Sequence, residues 1–428
     1  MKRGLMDMSQ ISVAIAGAGL SGLCLAHSLL RAGFNVHVFE SDPEPFARRQ
    51  GYRVTLDEYG MAGLQKCLPP RLFELFLATA SPTDEDSYFR VTNQDLGEVF
   101  KLTFKGDRSG TDLRTPRQTD RQTLRTIMLD GLQDRIHFGK KAVRADLAPD
   151  GATLHFSDGS NTHASLVIGA DGINSALRKQ LLPDCDPEDA NSWGIYGRTP
   201  LLHNGHSIVP GPLKTSGVYA IGKSGKGLFF TTMNFRESPK TAFSRFGVEQ
   251  LPPISDDYVM WALLLPKELF PVSHEKLDSE NLLRFALKTA LDFHPVLRQF
   301  VNQADVECTM LVKLKAARKP SSWPVSRITL MGDAVHAMPP TGSHGGNTAL
   351  RDAALLAEKL KAAASQGEPL EKAIASYQAE MSQYAFREVK AAKAMLKRFS
   401  IQNPFMGWVM LRAMPWIRSM KNKPLTTE

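Results

Sequence analysis

The 428-residue chain is 43% hydrophobic and 22% charged with no low-complexity run, which excludes a disordered or fibrous protein and describes a globular one able to bury a core and a cofactor. Its formal net charge of +8 and pI near 9.2 suit anionic small ligands. That charge is thinly spread and no basic-aromatic module accompanies it, so nucleic acid is excluded as a partner.

Four widely spaced cysteines, Cys24, Cys67, Cys185 and Cys308, form no CxxC, so free structural thiols are expected, with no metal site and no disulfide framework. The opening MKRGLMDMSQ lacks the apolar core of a signal peptide. The most apolar long run, Ile11 to Leu30, is broken by Gly17, Gly19, Gly22 and His27, a poor membrane span. A cytoplasmic location is therefore expected.

In chain order, the first element is an apolar strand, Val13 to Ala16. It runs into Gly17-Ala18-Gly19-Leu20-Ser21-Gly22, a helix to about Leu30, and a second strand, Asn35 to Phe39, that ends in Glu40. This is a dinucleotide fingerprint in its required context: glycines for a tight turn and close approach to pyrophosphate, and an acid about 20 residues on for ribose hydroxyls. Arg48 and Arg49 follow, then Gly51 and the strand-prone Tyr52 to Leu56. An Arg there either reaches back to the pyrophosphate or lies solvated, and both readings stay open.

Ser87 to Phe104 alternates around a turn at Asn93 to Gly97 and reads as an antiparallel hairpin, an excursion from the first domain. The chain returns with Thr119 to Arg125, the start of a helix to about Leu132. Arg121 falls in its first turn, where the helix dipole disfavours a cation, so it answers either an anionic ligand or a neighbour such as Asp120. Val143 to His163 forms a meander that feeds the strand Leu166 to Ile168, which ends in Asp171-Gly172, with Ser175 and Arg178 one turn into the next helix.

The middle changes character. Trp193 to Leu201, Gly217 to Ile221, Gly227 to Phe235 and Asp257 to Leu265 are strand-like, with aromatic residues at Trp193, Tyr196, Tyr219, Phe229, Phe230, Tyr258 and Trp261. An antiparallel sheet carrying them suits a flat, apolar substrate, although most are expected in the core. Ser279 to Val301 reads as a helix and Met310 to Ala317 as a strand returning to the first domain.

A third motif follows. The apolar run Arg327 to Met331 stops at Gly332-Asp333, which places Asp333 to accept hydrogen bonds from sugar-like hydroxyls. The loop His336 to Gly346 is rich in Pro and Gly. Asn347 is expected to cap a helix whose apolar face is Leu350, Ala354, Leu355 and Leu360. The tail offers a helix from about Leu370 to Phe399, then Trp408 and Trp416. From Arg387 to Lys423 it holds nine Lys or Arg and one acid, Glu388. A helix packed along both domains is favoured over contact with a membrane surface.

Three phosphate- and sugar-binding stretches in this order resemble the single-component FAD-dependent aromatic monooxygenases, typified by para-hydroxybenzoate hydroxylase and including the tetracycline-inactivating enzymes. The resemblance covers essentially the whole chain. It implies an α/β fold: a Rossmann-like FAD-binding domain of the glutathione reductase/para-hydroxybenzoate hydroxylase type, an inserted antiparallel β-sheet substrate domain and a C-terminal helix. The corresponding ranges are 10–82, 115–184 and 305–366 for the FAD-binding domain, 83–114 and 185–304 for the substrate domain, and 367–428 for the C-terminal helical segment.

Gly17, Gly19, Gly22 and Glu40 match the fingerprint; Arg48 and Arg121 match the family's flavin-contacting arginines. Asp171 with Gly172 resembles the DG motif, Gly332 with Asp333 the GD motif, and Gly345 and Asn347 the flavin-edge loop. Ser343 stands where relatives show a Gly, so that backbone is less free. His344 in the same loop is the one weak catalytic candidate, and a packing role is favoured.

The implied activity is hydroxylation or epoxidation of a largely apolar aromatic or heteroaromatic molecule through a flavin hydroperoxide, with NADH or NADPH as a transient co-substrate and O2 as oxidant. The helix N-terminus at Asn347 then favours an anionic reduced flavin. A monomer or homodimer is expected. A flavin dehydrogenase, a Baeyer–Villiger-type oxygenase and a non-catalytic flavin-bound redox sensor remain open, whereas a halogenase lacks its WxWxIP stretch here.

Overall fold

The computed structural model describes residues 7–47, 51–82, 88–103, 115–203, 206–213, 217–254, 256–271 and 277–399. Its organising layer is a five-stranded parallel sheet in the order Ile328–Leu330, Leu166–Gly169, Ser12–Ala16, Asn35–Phe39, Ile136–His137. Three of these strands are buried along nearly their whole length because helices or sheet cover both faces, as parallel sheets require. The helix Leu20–Arg31 packs on one side together with His344–Ser365, and the meander Ala142–Ala148, Gly151–Phe156, Asn161–Ala164 lies alongside.

The second layer is a seven-stranded sheet in the order Met310–Ala316, Glu188–Pro200, Tyr258–Pro266, Gly227–Met233, Gly217–Ile221, Tyr88–Asn93, Glu98–Thr103. The hairpin expected near Ser87 to Phe104 is present, and its first strand pairs parallel with Gly217–Ile221. Met310–Ala316 does not return to the parallel sheet; it pairs antiparallel with Glu188–Pro200 as an edge strand, so the seven-stranded sheet extends past residue 305.

Strand alternation gives this sheet two faces. Trp193, Ile195, Phe230, Trp261 and Leu263 point under two helices, Ser279–Ala290 and Pro295–Asn302. Gly197 makes room there, since a Cβ on it would lie 2.1 Å from the Trp261 ring. Tyr196, Tyr219, Tyr258, Met260 and Leu264 point the other way, against Tyr52 and Leu396.

Helix ends depart from the sequence reading for local reasons. Ser279 to Val301 is two helices because Pro295 has no N–H and pushes His294 to extended backbone, where its ring caps Val296 N. The helix after Asp120 stops at Leu129 rather than Leu132. The C-terminal helix spans Leu370–Phe399 and touches both layers: Tyr377 donates to Leu330 O and Gln378 to Thr329 Oγ1, while Tyr219 donates to Phe399 O. Trp408 and Trp416 lie outside the described residues. Among the described residues no helix is long and apolar enough to cross a membrane, and all four cysteines are free and buried.

His27 sits in the core face of Leu20–Arg31, where a carbonyl, Met128 O, lies 2.8 Å from its Nε2, so Nε2 carries the hydrogen. Burial pushes its pKa down to about 4. Between 6.5 and about 4 the unfolded chain binds a proton that the folded chain refuses, so stability falls as pH falls through that window, by at most about 3 kcal/mol. The urea midpoint of the wild-type protein should drop further between about pH 7 and pH 4.5 than that of His27→Gln. Equal drops would clear His27 of any part in acid lability.

Candidate functional site

Four of the five strands of the parallel sheet end on one side of it, and each delivers a motif there. Ser12–Ala16 delivers Gly17 to Gly22, Asn35–Phe39 delivers Glu40, Leu166–Gly169 delivers Asp171-Gly172, and Ile328–Leu330 delivers Gly332-Asp333. The motifs touch. A Cβ on Gly17 would sit 2.3 Å from Ala170 O, one on Gly22 would sit 2.1 Å from Gly17 O, and one on Gly332 would sit 2.9 Å from Ser21 Oγ. Gly19, the helix N-cap, is the exception: nothing lies within 4 Å of its Cβ position, so the loop opens outward there.

Buried polar groups hold this loop. Glu40 Oε2 accepts from Ala18 N at 2.8 Å, while Oε1 accepts from Ser41 Oγ and Asp42 N. The carboxylate thus fixes the glycine turn, and lone-pair counting leaves one acceptor site for a hydroxyl. On the other side of the same residue, Arg125 Nε donates to Ala18 O at 2.9 Å, and its Nη1 donates to Pro45 O. Sequence reading places Arg125 at the start of the helix after Asp120 without giving it a task.

Three groups at the edge are free to meet a ligand. Arg121, in the first turn of Arg121–Leu129, has a buried Nε without a hydrogen-bond partner among the described residues. Its neighbour Asp120 is not its ion-pair partner: Oδ1 caps Thr123 N and Oδ2 accepts from Tyr258 OH. Asp171 Oδ2 accepts from Ala176 N, Oδ1 is buried without a partner among the described residues, and burial raises the carboxyl pKa. Asp333 is exposed and opens a short helix, Asp333–His336, close to Gly345. An open glycine turn, an orphaned guanidinium and two available carboxylate edges fit a dinucleotide flavin with its pyrophosphate and sugar hydroxyls. Arg48 lies outside the described residues.

The flavin-edge loop differs from expectation at its helix start. The helix spans His344–Ser365, with Ser343 as N-cap at φ 59°. Ser343 thus adopts the left-handed conformation that glycine takes without strain. Asn347 does not cap the helix. It lies inside the first turns, where Oδ1 accepts from Asp57 N and Nδ2 donates to Thr55 O and Ser343 O, locking the helix to the strand Arg53–Leu56. The buried face is Leu350, Ala353, Leu356, Ala357 and Leu360, with Ala354 and Leu355 half-buried. His344 turns toward the C-terminal helix: Nδ1 lies 3.1 Å from Glu388 Oε2, and its ring covers Gly342. Thr341 Oγ1 donates to Ala392 O on the same helix.

Sequence reading also passed over a buried group beneath the GD corner. His336 Nε2 lies 2.6 Å from Asp352 Oδ2, and Tyr384 OH donates to Asp352 Oδ1. The available signal was Asp352 itself, an acid on the helix face that buries Leu356 and Ala353.

An FAD binding domain family matches residues 301–392, and an NAD(P)-binding Rossmann-like domain family matches residues 15–76. A dual O-methyltransferase/FAD-dependent monooxygenase of Cercospora beticola is 30% identical over 90% of this chain, which spans only 46% of that relative's length. The 6-hydroxynicotinate 3-monooxygenase of Pseudomonas fluorescens is 26% identical over 87% of this chain and 88% of its own length. A crystal structure from Photorhabdus luminescens, assigned as an FAD-containing monooxygenase, superposes with a TM-score of 0.75 at 27% identity, over 91% of this chain and 100% of the other.

Replacing Glu40 by Gln turns one of its two acceptor oxygens into an NH2 donor, against either Ala18 N or Asp42 N, and removes the charge from these hydrogen bonds. The FAD dissociation constant, measured by calorimetry on the apoprotein, should rise by about 10- to 100-fold, corresponding to roughly 1.5–3 kcal/mol. An unchanged constant would remove Glu40 from the flavin site.

Proposed function

We propose that this chain, which is similar to FAD-dependent monooxygenases over most of its length, inserts one oxygen atom into a largely apolar aromatic or heteroaromatic small molecule, consuming O2 and NADH or NADPH. The observation that carries the reading is the aromatic sheet face set against the motif-bearing part of the chain. Tyr196, Tyr219, Phe229 and Tyr258 lie on it, and Tyr52, from the strand-prone run after the fingerprint, meets Tyr258 at 6.3 Å between ring centroids.

That face is built for a flat ring. Gly227 and Gly194 leave space for the rings of Tyr219 and Tyr196 to lie along the strands: a Cβ would meet them at 1.9 Å and 2.5 Å. Burial raises the hydroxyl pKa of Tyr196, Tyr219 and Tyr258 well above the ordinary value, so all three stay neutral. An uncharged, buried aromatic wall keeps water away from the motif-bearing side of the chain.

Bound FAD supplies the redox chemistry, accepting a hydride from the nicotinamide and delivering an oxygen atom from O2. The chain's own residues position and exclude. Glu40 and Arg125 hold the glycine turn that faces the pyrophosphate, Asp333 and Asp171 offer acceptors to hydroxyls, and Arg121 offers charge. Asp120 joins the two halves by accepting from Tyr258 OH at 2.9 Å, so the aromatic wall keeps its register against the flavin side. The sequence holds one dinucleotide fingerprint, which supports a nicotinamide that docks only transiently. The Pseudomonas relative, by name a 6-hydroxynicotinate 3-monooxygenase, supports an electron-rich heteroaromatic ring as the substrate class.

The test is nicotinamide oxidation by the FAD-loaded protein with a panel of phenols, quinolones, indoles and polyketide aromatics, reading product mass in parallel. At least one compound should accelerate oxidation and gain a single oxygen. A flavin that dithionite reduces but neither nicotinamide does would contradict the reductive half of the proposal.

A further inference from the structure

Beneath the Gly332-Asp333 corner runs a chain of buried titratable groups to which flavin binding itself assigns no task. His336 and Asp352 are 0% exposed and Tyr384 is 5% exposed. Asp352 lies at the centre. Its Oδ2 accepts from Gly332 N at 2.8 Å and faces His336 Nε2 at 2.6 Å, while its Oδ1 accepts from Tyr384 OH at 2.6 Å. Three donors directed at one carboxyl group mark it as the ionised acceptor. The second ring nitrogen, His336 Nδ1, is buried without a hydrogen-bond partner among the described residues.

The placement matters because of what Asp352 holds. Gly332 has φ 61° and ψ −145°, backbone that favours glycine, and its N–H is the one tied to Asp352. The next residue is Asp333. The far end of the chain is also braced: the Arg351 guanidinium lies 3.9 Å from the Tyr384 ring centroid and 4.6 Å from that of Tyr59.

We propose that the His336–Asp352–Tyr384 chain sets both the position and the net charge of the Gly332-Asp333 corner, making Asp352 and His336 positioning residues for FAD, which rests on the flavin-site reading above. With both ring nitrogens protonated, His336 cancels Asp352 and the corner presents the charge of Asp333 alone. Loss of that proton leaves a second, uncompensated carboxylate behind the corner, facing an anionic pyrophosphate. FAD must then bind less tightly.

Among the described residues, few titratable groups lie about the His336–Asp352 pair. Asp352 comes from the helix His344–Ser365, Asp333 from its own helix, Tyr377 and Tyr384 from the C-terminal helix, and Arg178 Nη1 donates to Ala334 O at 3.3 Å. Burial raises both tyrosines far above the ordinary range, so neither changes charge near neutrality. Burial alone would push the His336 pKa down; the Asp352 charge and hydrogen bond, aided by Asp333, outweigh it and raise the pKa above 6.5. Tight FAD binding is therefore the low-pH state, and it is lost as pH rises through that raised value.

The experiment is titration of apoprotein with FAD, read by flavin fluorescence between about pH 6 and pH 9, on wild type, His336→Gln and Tyr384→Phe, with melting curves confirming the fold at each pH. The wild-type dissociation constant should rise about tenfold across the range. His336→Gln should bind weakly throughout, with no such rise. Tyr384→Phe removes one donor from Asp352, makes that carboxylate a stronger partner for the imidazolium, and should move the midpoint to higher pH; it carries the test if His336→Gln does not fold. A wild-type constant independent of pH, an unaltered rise in His336→Gln, or an unmoved midpoint in Tyr384→Phe each overturns the proposal while leaving flavin binding intact. Apoprotein that binds no FAD at any pH overturns the flavin site as well.

Discussion

The peptide groups around Ala18 are gripped on both sides, by Glu40 on the N–H at 2.8 Å and by Arg125 on the carbonyl at 2.9 Å, and the rest of the site is arranged around that grip. Neither partner is local: Glu40 comes from the end of the second parallel strand, Arg125 from the helix that follows Asp120. Buried backbone groups in a tight glycine turn need such partners, because an unsatisfied one costs about as much as the hydrogen bond it lacks. The same segment reaches in the other direction, through Asp120 to Tyr258 on the aromatic sheet. One short stretch, Asp120 to Arg125, thereby registers the glycine turn against the aromatic sheet face.

The remaining motifs converge by topology rather than by sequence proximity. Leu166–Gly169 and Ile328–Leu330 are added in parallel beside Ser12–Ala16, so the Asp171 and Asp333 corners must emerge at the same sheet edge as Gly17. Close contacts then lock them, with Gly17 against Ala170 O and Gly332 against Ser21 Oγ, and a side chain at Gly17 would clash with the Ala170 backbone. The C-terminal helix completes the frame. Tyr377 and Gln378 hold the last parallel strand, Glu388 holds His344 at the start of the helix His344–Ser365, and the end of the C-terminal helix lies against Tyr219.

Much of this was legible because it is local. Apolar runs broken by glycine and acid at fixed spacing gave the parallel strands and their terminal motifs, and alternation gave the aromatic sheet. What stayed hidden depends on partners distant in sequence. Asn347 looks like a helix cap until Asp57 and Thr55 are seen to take its side chain, and the helix begins three residues earlier at His344. Met310–Ala316 has the composition of a strand but nothing in it selects Glu188–Pro200 as neighbour. The His336–Asp352–Tyr384 chain spans three elements, so only its acid on an apolar helix face signalled it.

The central claim, that the motif edge and the aromatic face together transfer oxygen from O2 to a ring, is tested most directly by isotopic labelling. Turnover of an accepted substrate under 18O2 in ordinary water should give a product carrying one heavy oxygen atom. A product whose new oxygen comes from water, or an oxidised product with no new oxygen, would contradict a monooxygenase and describe a flavin dehydrogenase instead.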